Sequence, residues 1–335
     1  MLLNAADKAL WRLALPMIFS NITVPLLGLV DTAVIGHLDS PVYLGGVAVG
    51  ATATSFLFML LLFLRMSTTV LAAQAWGAKD PQRLARALVQ PLALALGAGV
   101  LIILLRLPLI DLALHIVGGS EAVLEQARRF LEIRWLSAPA SLANLVLLGW
   151  LLGVQYARAP VILLGVGNLL NIVLDLLLVM GLRMNVQGAA LATVTAEYAT
   201  LIIGLLMAKR VLTLRGVSLA MLKNAWRGDL RRLLALNRDI MLRSLLLQLC
   251  FGALTVFGAR LGSDIVAVNA VLMTLLPFTA YALDGFAYAV EAHSGQAYGA
   301  RDGSQLLEVW RGGRRARAIG QPGSPPACTP AVAGK

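Results

Sequence analysis

The chain has 335 residues, of which 59% are hydrophobic and only 13% are charged, and its mean hydropathy is +0.80. About a quarter of the residues of a soluble domain are charged, so this composition excludes a soluble globular fold and indicates a polytopic membrane protein. The net charge of +11 comes from basic residues that lie mostly between apolar stretches, which argues against nucleic-acid binding. The two cysteines, Cys250 and Cys328, favour neither a disulfide framework nor a metal site.

Apolar stretches long enough to cross a bilayer, which needs about 20 helical residues, recur along the chain. They predict an all-α membrane fold with eight transmembrane helices, at 11–35, 44–75, 87–109, 133–154, 160–181, 187–208, 239–261 and 265–292. Basic residues precede the first stretch, follow the second and fill the connection between the sixth and the seventh. By the positive-inside rule the N-terminus is therefore cytoplasmic. The first stretch is longer than the apolar region of a signal peptide and is expected to be an uncleaved anchor.

A seven-residue motif occurs twice, at the ends of the second and the eighth predicted helices. The copies read Gln74-Ala-Trp-Gly-Ala-Lys-Asp80 and Gln296-Ala-Tyr-Gly-Ala-Arg-Asp302, so residue 74 corresponds to residue 296 at a spacing of 222. Because an even number of predicted helices separates the copies, they belong to two parallel lobes, an arrangement found in secondary transporters. The repeat predicts a six-helix lobe at 1–208, a basic cytoplasmic linker at 209–238 and the first two helices of a second lobe at 239–311.

The sequence changes character after Trp310. Residues 312–335 are rich in Pro, Gly and Arg, which predicts disorder. At this junction the repeat would place the connection to a ninth helix. We therefore interpret 312–335 as a tail that is foreign to the rest of the chain, produced by truncation or by a shifted reading frame, with a natural regulatory tail as the alternative.

The first predicted helix is apolar except for Arg12 near its start and Asp31 near its end. An aspartate at the centre of a membrane helix costs roughly 2.5 to 3.5 kcal/mol on insertion scales, so such an acid is expected to face the bundle interior and to handle ions or substrate. Counted at about 1.5 Å per residue, Asp175 in the fifth helix and Thr193 in the sixth reach a similar depth in the outer half of the membrane.

Three polar residues of the fifth helix, Asn168, Asn171 and Asp175, share one face because they are three and four residues apart. An amide beside a carboxylate stabilises either protonation state, and two carboxylates in one pocket favour the binding of one proton between them. Asp31 and Asp175 are therefore candidate proton carriers. The alternative is that these polar side chains only hold helices together.

Three other acids in the predicted helices are accessory candidates. Glu197 lies one turn from Thr193 and either relays a proton or pairs with Arg65 of the second helix, and we expect the pairing. Asp284 and Glu291 of the eighth helix form either a second coupling site or ion pairs with basic loop residues. Beyond Asp239 at its first residue, the seventh predicted helix contains no acid, which favours protons over sodium as the coupling ion.

Several motifs together resemble the multidrug and toxic compound extrusion (MATE) family. They are Leu13-Ala-Leu-Pro16, Val30-Asp-Thr-Ala-Val-Ile-Gly36, the repeated motif, and Asn171 with Asp175. The resemblance runs from about residue 8 to about residue 311 and is strongest to one bacterial branch. It implies a multi-pass transporter of the bacterial inner membrane that exports amphiphilic or cationic compounds in exchange for protons or sodium, by alternating access.

The resemblance also implies roles for single residues. It implies a proton-linked site in the first lobe, composed of Asp31, Asn171, Asp175 and Thr193. Asn168 is an accessory to this site. Pro16 and Pro25 are hinges of the first helix if protonation of Asp31 bends it, and a static kink is the alternative.

No phosphate-binding loop, zinc-protease motif or nucleophile elbow is present in the sequence, which therefore predicts no enzyme. We expect no cofactor and no metal, the proton gradient as energy source, a small amphiphilic substrate and the lipid bilayer as partners, and a monomer. Two alternatives stay open. One is a flippase for lipid-linked precursors, which would line its cleft with several arginines, and the other is an inactive membrane fragment.

Overall fold

The computed structural model is helical in nearly all of the residues that it describes. Those residues are 5–37, 41–156, 158–217, 222–223, 225, 230–260, 268, 280, 283 and 287–320. The first nine α-helices are α1 (Ala5–Gly36), α2 (Pro41–Leu60), α3 (Phe63–Gly77), α4 (Pro81–Leu104), α5 (Arg106–Val117), α6 (Glu121–Arg134), α7 (Ala138–Gly153), α8 (Arg158–Asp175) and α9 (Asn185–Leu214). They are followed by α10 (Leu230–Arg260), α11 (287–299) and α12 (Gly303–Gly320).

Among the described residues, four helical segments are long and apolar enough to cross a membrane. They are Pro81–Leu104, Glu121–Gly153, Val161–Gly181 and Asn185–Leu214. Large apolar side chains along these segments point outward, among them Leu104, Leu169 and Leu206. Such an outward apolar surface suits a lipid environment. The number of eight transmembrane helices stays a prediction, because most of 265–292 lies outside the described residues.

Several predicted segments differ from the observed helices, and one of them, the predicted third span at 87–109, is divided at Leu105 into α4 and α5. The predicted second span, 44–75, is divided into α2 and α3 by a turn at 61–62. The predicted fifth span ends in a π-helical turn, Leu176–Gly181, which directly follows α8. In the C-terminal part, α12 continues to Gly320, so the portion of the predicted disordered tail at 312–320 is helical, whereas 321–335 lies outside the described residues.

The helix at the centre of the first part of the chain is α7, which packs against α3, α4 and α9. Leu147, Trp150 and Leu151 of this helix are completely buried, as expected for a helix that is apolar all round. The indole Nε1 of Trp150 donates a hydrogen bond to the backbone carbonyl of Leu84 at 3.1 Å, which satisfies the single polar atom of that buried side chain. Around this core, α8 packs against both α9 and α1.

The two copies of the repeated motif contact each other where α3 and α11 end. A Cβ atom added to Gly77 would lie 1.9 Å from the carbonyl oxygen of Gln296, and one added to Gly299 would lie 2.0 Å from the carbonyl oxygen of Gln74. Each glycine therefore lies directly against the backbone of the first residue of the other copy. We call this reciprocal contact between residues 74–77 and 296–299 the glycine crossing.

Each copy of the motif also ends in the same turn. Lys79 and Arg301, the sixth residues, have left-handed backbone with φ of 53° and 57°. Asp80 and Asp302, the seventh residues, each cap the helix that follows: Asp80 accepts hydrogen bonds from the first turn of α4, and Asp302 accepts one from the backbone N–H of Gln305 in α12 at 3.1 Å. Side-chain oxygens at this position satisfy backbone donors that a helix start leaves open.

Candidate functional site

A side-chain hydrogen bond joins α8 to α9 at the position of the predicted proton-linked site. The Thr193 hydroxyl lies 3.3 Å from Nδ2 and 3.4 Å from Oδ1 of the Asn171 amide, and 3.2 Å from the backbone carbonyl of Ala189. Asn171 is buried and Thr193 is half-buried. An amide and a hydroxyl can each donate or accept, so this pair can adjust to either charge state of a neighbouring group.

Asp175 lies one turn beyond Asn171 on α8 and is only 2% exposed. It is the last residue of α8 and directly precedes the π-helical turn, in which the N–H of Leu182 donates to the carbonyl of Leu177 at 2.9 Å. Such turns occur frequently at functional sites. A carboxyl group buried to this extent must be neutral or have polar partners. We call Asn171, Asp175 and Thr193 the α8–α9 site.

The other predicted members of the site lie on α8 and α1. Asn168 is half-buried one turn before Asn171. Asp31 is near the end of α1, and α1 packs against α8 and against the π-helical turn. The side chain of Asp31 lies outside the described residues, so its contacts stay a prediction. The helix α1 continues through Pro16 and Pro25, and their role as hinges also stays a prediction.

Glu197 forms an ion pair with Arg134, with 3.2 Å between Nη2 and Oε1. Ser141 donates a hydrogen bond to the other carboxylate oxygen, and Asn144 donates one to the backbone carbonyl of Glu197 at 3.0 Å. The predicted pairing of Glu197 with Arg65 is therefore wrong. The physical reason is that this face of α9 packs against α6 and α7, which carry Arg134 and its neighbours, whereas Arg65 lies on α3 and faces α11.

Arg65 is 2% exposed and pairs with Glu291 of α11, with 3.7 Å between Nη2 and Oε2. Its guanidinium also lies 3.8 Å from the ring centroid of Tyr288 and donates to the hydroxyl of Thr69 at 3.4 Å. Glu291 thus pairs with a buried arginine of another helix rather than with a basic loop residue. Asp284, the other acid predicted here, lies outside the described residues.

Sequence reasoning missed the partners of Arg65 and Arg134. The sequence signal for Arg134 is its place at the start of the fourth predicted helix, which brings it to the edge of the membrane. No comparable signal identifies Glu291 as the partner of Arg65, because the two residues are far apart in the sequence. Among the described residues, no group of three or more His, Cys, Asp or Glu side chains is arranged to hold a metal ion.

The MatE family model matches residues 16–177 and 240–311. The chain belongs to the MatE family. The predicted resemblance is thereby confirmed, and members of this family are transporters rather than enzymes. The chain is therefore an integral membrane protein of a multidrug transporter family.

Individual proteins of similar sequence support the family assignment. The chain is 86% identical over 317 residues to the DNA damage-inducible protein F of Escherichia coli K12, covering 95% of this chain and 69% of that protein. It is 30% identical over 196 residues to a probable multidrug resistance protein NorM of Thermotoga maritima, covering 57% of this chain and 42% of that protein. The bacterial branch that the motifs resemble is the one represented by protein F.

A solved structure shares the fold of the chain over most of its length. It is the outward-facing conformation of a multidrug resistance MATE family transporter, which matches with a TM-score of 0.80 and 25% identity, covering 95% of this chain and 70% of that chain. The all-helical fold expected from the sequence is confirmed at this level.

Proposed function

We propose that this MatE chain acts in the proton-coupled export of amphiphilic or cationic compounds across the bacterial inner membrane, by alternating access. The observation that carries the proposal is the hydrogen-bonded pair Asn171 and Thr193 beside the buried carboxyl group of Asp175. A carboxyl group among side chains that can donate or accept can bind and release a proton with little rearrangement of its neighbours. Protons rather than sodium are the proposed coupling ion, and no cofactor is invoked.

Coupling between the proton and the substrate requires a moving element, and we assign this role to α1. It packs against α8 and against the π-helical turn that directly follows Asp175, so a proton on Asp31 or Asp175 changes the electrostatic energy of that contact. Pro16 and Pro25 each leave one backbone carbonyl of α1 without its usual helical donor, which makes bending at those points less costly.

The arrangement of lobes belongs to the same proposal. A six-helix lobe at 1–208 and the start of a parallel second lobe at 239–311, joined by the cytoplasmic linker 209–238, are supported by the reciprocal form of the glycine crossing. The N-terminus is cytoplasmic and the working unit is a monomer that takes up a small amphiphilic substrate.

The buried arginines favour an exporter over a flippase for lipid-linked precursors. Arg65 pairs with Glu291 and Arg134 pairs with Glu197, so each of these guanidinium groups is neutralised by a carboxylate. A cleft that attracts a phosphorylated lipid would keep such arginines available for the ligand.

The proposal is tested by reconstituting the purified chain in liposomes that enclose a pH-sensitive dye. Addition of ethidium, a fluorescent amphiphilic cation, should drive proton movement through the wild-type chain. Asp175→Asn should abolish this movement, because an amide cannot exchange a proton in this pH range. The matched control is Asp239→Asn, since Asp239 is exposed on α10 and pairs only with the neighbouring Arg238 at 3.3 Å among the interactions described.

Three outcomes would contradict the proposal. If a folded, monodisperse wild-type chain moves no protons on addition of ethidium, the inactive-fragment alternative is correct. Equal activity of Asp175→Asn and the wild type would remove Asp175 from the mechanism. Transport that follows a sodium gradient and ignores the pH gradient would show that the coupling ion is sodium.

A further inference from the structure

A basic cavity of about 480 Å³ lies beside the glycine crossing and is lined by residues from distant parts of the chain. Gln74 and Arg83 come from the end of α3 and the start of α4, Arg232 from the start of α10, and Arg301 and Asp302 from the turn before α12. Its volume is within the usual range for small-ligand sites, about 300 to 1,000 Å³. We call it the arginine cavity.

The charge of the arginine cavity is positive. Three guanidinium groups line it, against the single carboxylate of Asp302, which already accepts hydrogen bonds from the Gln305 backbone and the Ser304 hydroxyl at the start of α12. Among the described residues, Arg83 and Arg301 form no ion pair with a carboxylate. Guanidinium groups bind phosphate through two parallel hydrogen bonds, and they are less strongly hydrated than the lysine ammonium.

The repeat shows that the crossing itself does not need an arginine at the positions of Arg83 and Arg232, whereas Arg301 corresponds to another basic residue, Lys79. At the spacing of 222 residues that relates the motif copies, Arg83 corresponds to Gln305 and Arg232 corresponds to Leu10. A second cavity, of about 360 Å³, lies against the same turn and is lined by Gln305 and by the acid Glu308. The side of the turn that faces the second cavity has neutral and acidic neighbours, whereas Arg83 and Arg232 lie on the side that faces the arginine cavity.

The cavity lies where helices end on the face predicted to be cytoplasmic, which is the depth of lipid headgroups. Basic pockets between helices on this face are a known mode of recognition of anionic headgroups. The geometry points to a binding site for a phosphate group in the arginine cavity, carried either by an anionic lipid or by a soluble phosphate. Because residues from both sides of the glycine crossing line the site, a bound phosphate stabilises the state in which the crossing is closed.

The site is tested by the thermal unfolding of the purified chain in neutral detergent, a measurement that does not depend on transport. One arm adds inorganic phosphate, with sodium chloride at equal ionic strength as reference. The other arm adds phosphatidylglycerol, with phosphatidylcholine as reference. We expect a rise of at least about 3 °C in the unfolding temperature in one arm, and the arm that responds identifies the source of the phosphate.

Substitutions of residues that line the arginine cavity test whether the rise in the unfolding temperature comes from binding in this cavity. Arg83→Gln and Arg301→Asn should each remove most of it; asparagine suits the left-handed backbone of residue 301, where φ is 57°. Arg231→Gln is the matched control, because Arg231 is exposed on the same turn as Arg232 but does not line the cavity. If Arg83→Gln does not fold, Arg83→Lys should keep the charge and show a smaller rise than the wild type.

The proposal is overturned if neither phosphate nor phosphatidylglycerol raises the unfolding temperature of the wild type. It is also overturned if the folded cavity variants keep the full rise, or if Arg231→Gln loses as much of it as Arg83→Gln, because the effect would then come from diffuse surface charge. Failure of ethidium transport leaves these readouts unaffected, so the two proposals can fail separately.

Discussion

The glycine crossing and the α8–α9 site join helices in opposite ways. At the crossing, Gly77 and Gly299 bring backbone against backbone, since the atoms nearest to a Cβ added at either glycine are backbone atoms of the other motif copy. At the α8–α9 site, the side chains of Asn171 and Thr193 bridge two helices beside a buried acid. A contact between backbones tolerates no added atom, whereas a contact between side chains tolerates a change of similar shape but loses its chemistry. Substitutions at the crossing should therefore act on stability, and those at the site on proton exchange.

Gly77→Ala is expected to have the largest effect on stability. The new Cβ would lie 1.9 Å from a backbone oxygen, which cannot rotate away, so α3 and α11 must separate. Overpacking costs about 3 kcal/mol in unfavourable cases, which corresponds to a fall of about 4 °C in the unfolding temperature of a chain of this length. The measurement is thermal unfolding in detergent, followed by tryptophan fluorescence.

Gly97→Ala is the control for this experiment, because nothing lies within 4 Å of a Cβ added there and alanine favours the α4 helix. Gly299→Ala should behave like Gly77→Ala. The double variant should lose less than the two single losses combined, since one separation of the helices relieves both clashes. Additive losses, or an equal loss in Gly97→Ala, would show that the two glycines do not form one reciprocal contact.

Glu291→Gln tests the side-chain ion pair between Arg65 of α3 and Glu291 of α11, the two helices that also meet at the glycine crossing. The change leaves the guanidinium of Arg65, which is 2% exposed, without its carboxylate at 3.7 Å. Loss of one partner of a fully buried pair costs about 3 to 5 kcal/mol, and because Glu291 is 23% exposed we expect about 2 kcal/mol here. Glu125→Gln, in the exposed pair with Arg129, should change stability by less than about 0.5 kcal/mol. Equal losses in the two variants would rule out a special role for the buried pair.

Thr193→Val tests the side-chain hydrogen bond between Thr193 and Asn171 at the α8–α9 site. The change keeps the shape of the side chain and removes the hydroxyl that bonds to Asn171, at a cost of about 1 kcal/mol in stability. If the hydroxyl contributes the same free energy, about 1 kcal/mol, to proton exchange at the site, its loss reduces ethidium-driven proton movement roughly fivefold. Thr195→Val is the control, because the exposed Thr195 hydroxyl bonds only within its own helix, to the carbonyl of Leu191 at 2.9 Å. A similar reduction in both variants would contradict a role for the Asn171–Thr193 pair.

The sequence predicts features that depend on the spacing of residues along one helix. It does not predict features that depend on which faces of two helices pack against each other. Asn171 and Asp175 share a face of α8 because they are four residues apart, and depth counting placed Thr193 nearby. Spacing along α9 gives no direction for Glu197, however, and its partner was predicted wrongly. The π-helical turn after Asp175 has no signal in the local spacing either, and in the structure it contacts α9 and α1.

The repeated motif is also recognisable from the sequence, whereas the contact between its two copies is not. The two copies are recognisable from seven residues, and each has a glycine, Gly77 or Gly299, at its fourth position. That each glycine lies against the carbonyl of the opposite copy is a property of two helices brought together by the whole bundle. A repeat therefore predicts that two segments are alike, but the contact between them needs the structure.

The smallest expected effect concerns Asp302, the cap at the end of the second motif copy. Hydrogen bonds from the Gln305 backbone and the Ser304 hydroxyl stabilise its carboxylate and hold its pKa below the ordinary value. A lowered pKa in the folded state means that the cap stabilises the start of α12 at neutral pH, and that this contribution is lost as the pH falls below about 4 and through the lowered pKa. The side chain is fully exposed, so only a local change is expected.

The change can be followed by the carboxyl ¹³C shift of Asp302, assigned by its loss in Asp302→Asn. Asparagine also caps helices, so this variant should keep the start of α12 intact and remove its dependence on pH. In the wild type, the backbone N–H signal of Gln305 should move with the same midpoint as the carboxyl signal, because both report one hydrogen bond of 3.1 Å. A midpoint at or above the ordinary carboxyl value would show that the cap is not formed in solution, and that the second copy of the motif does not end as the first does.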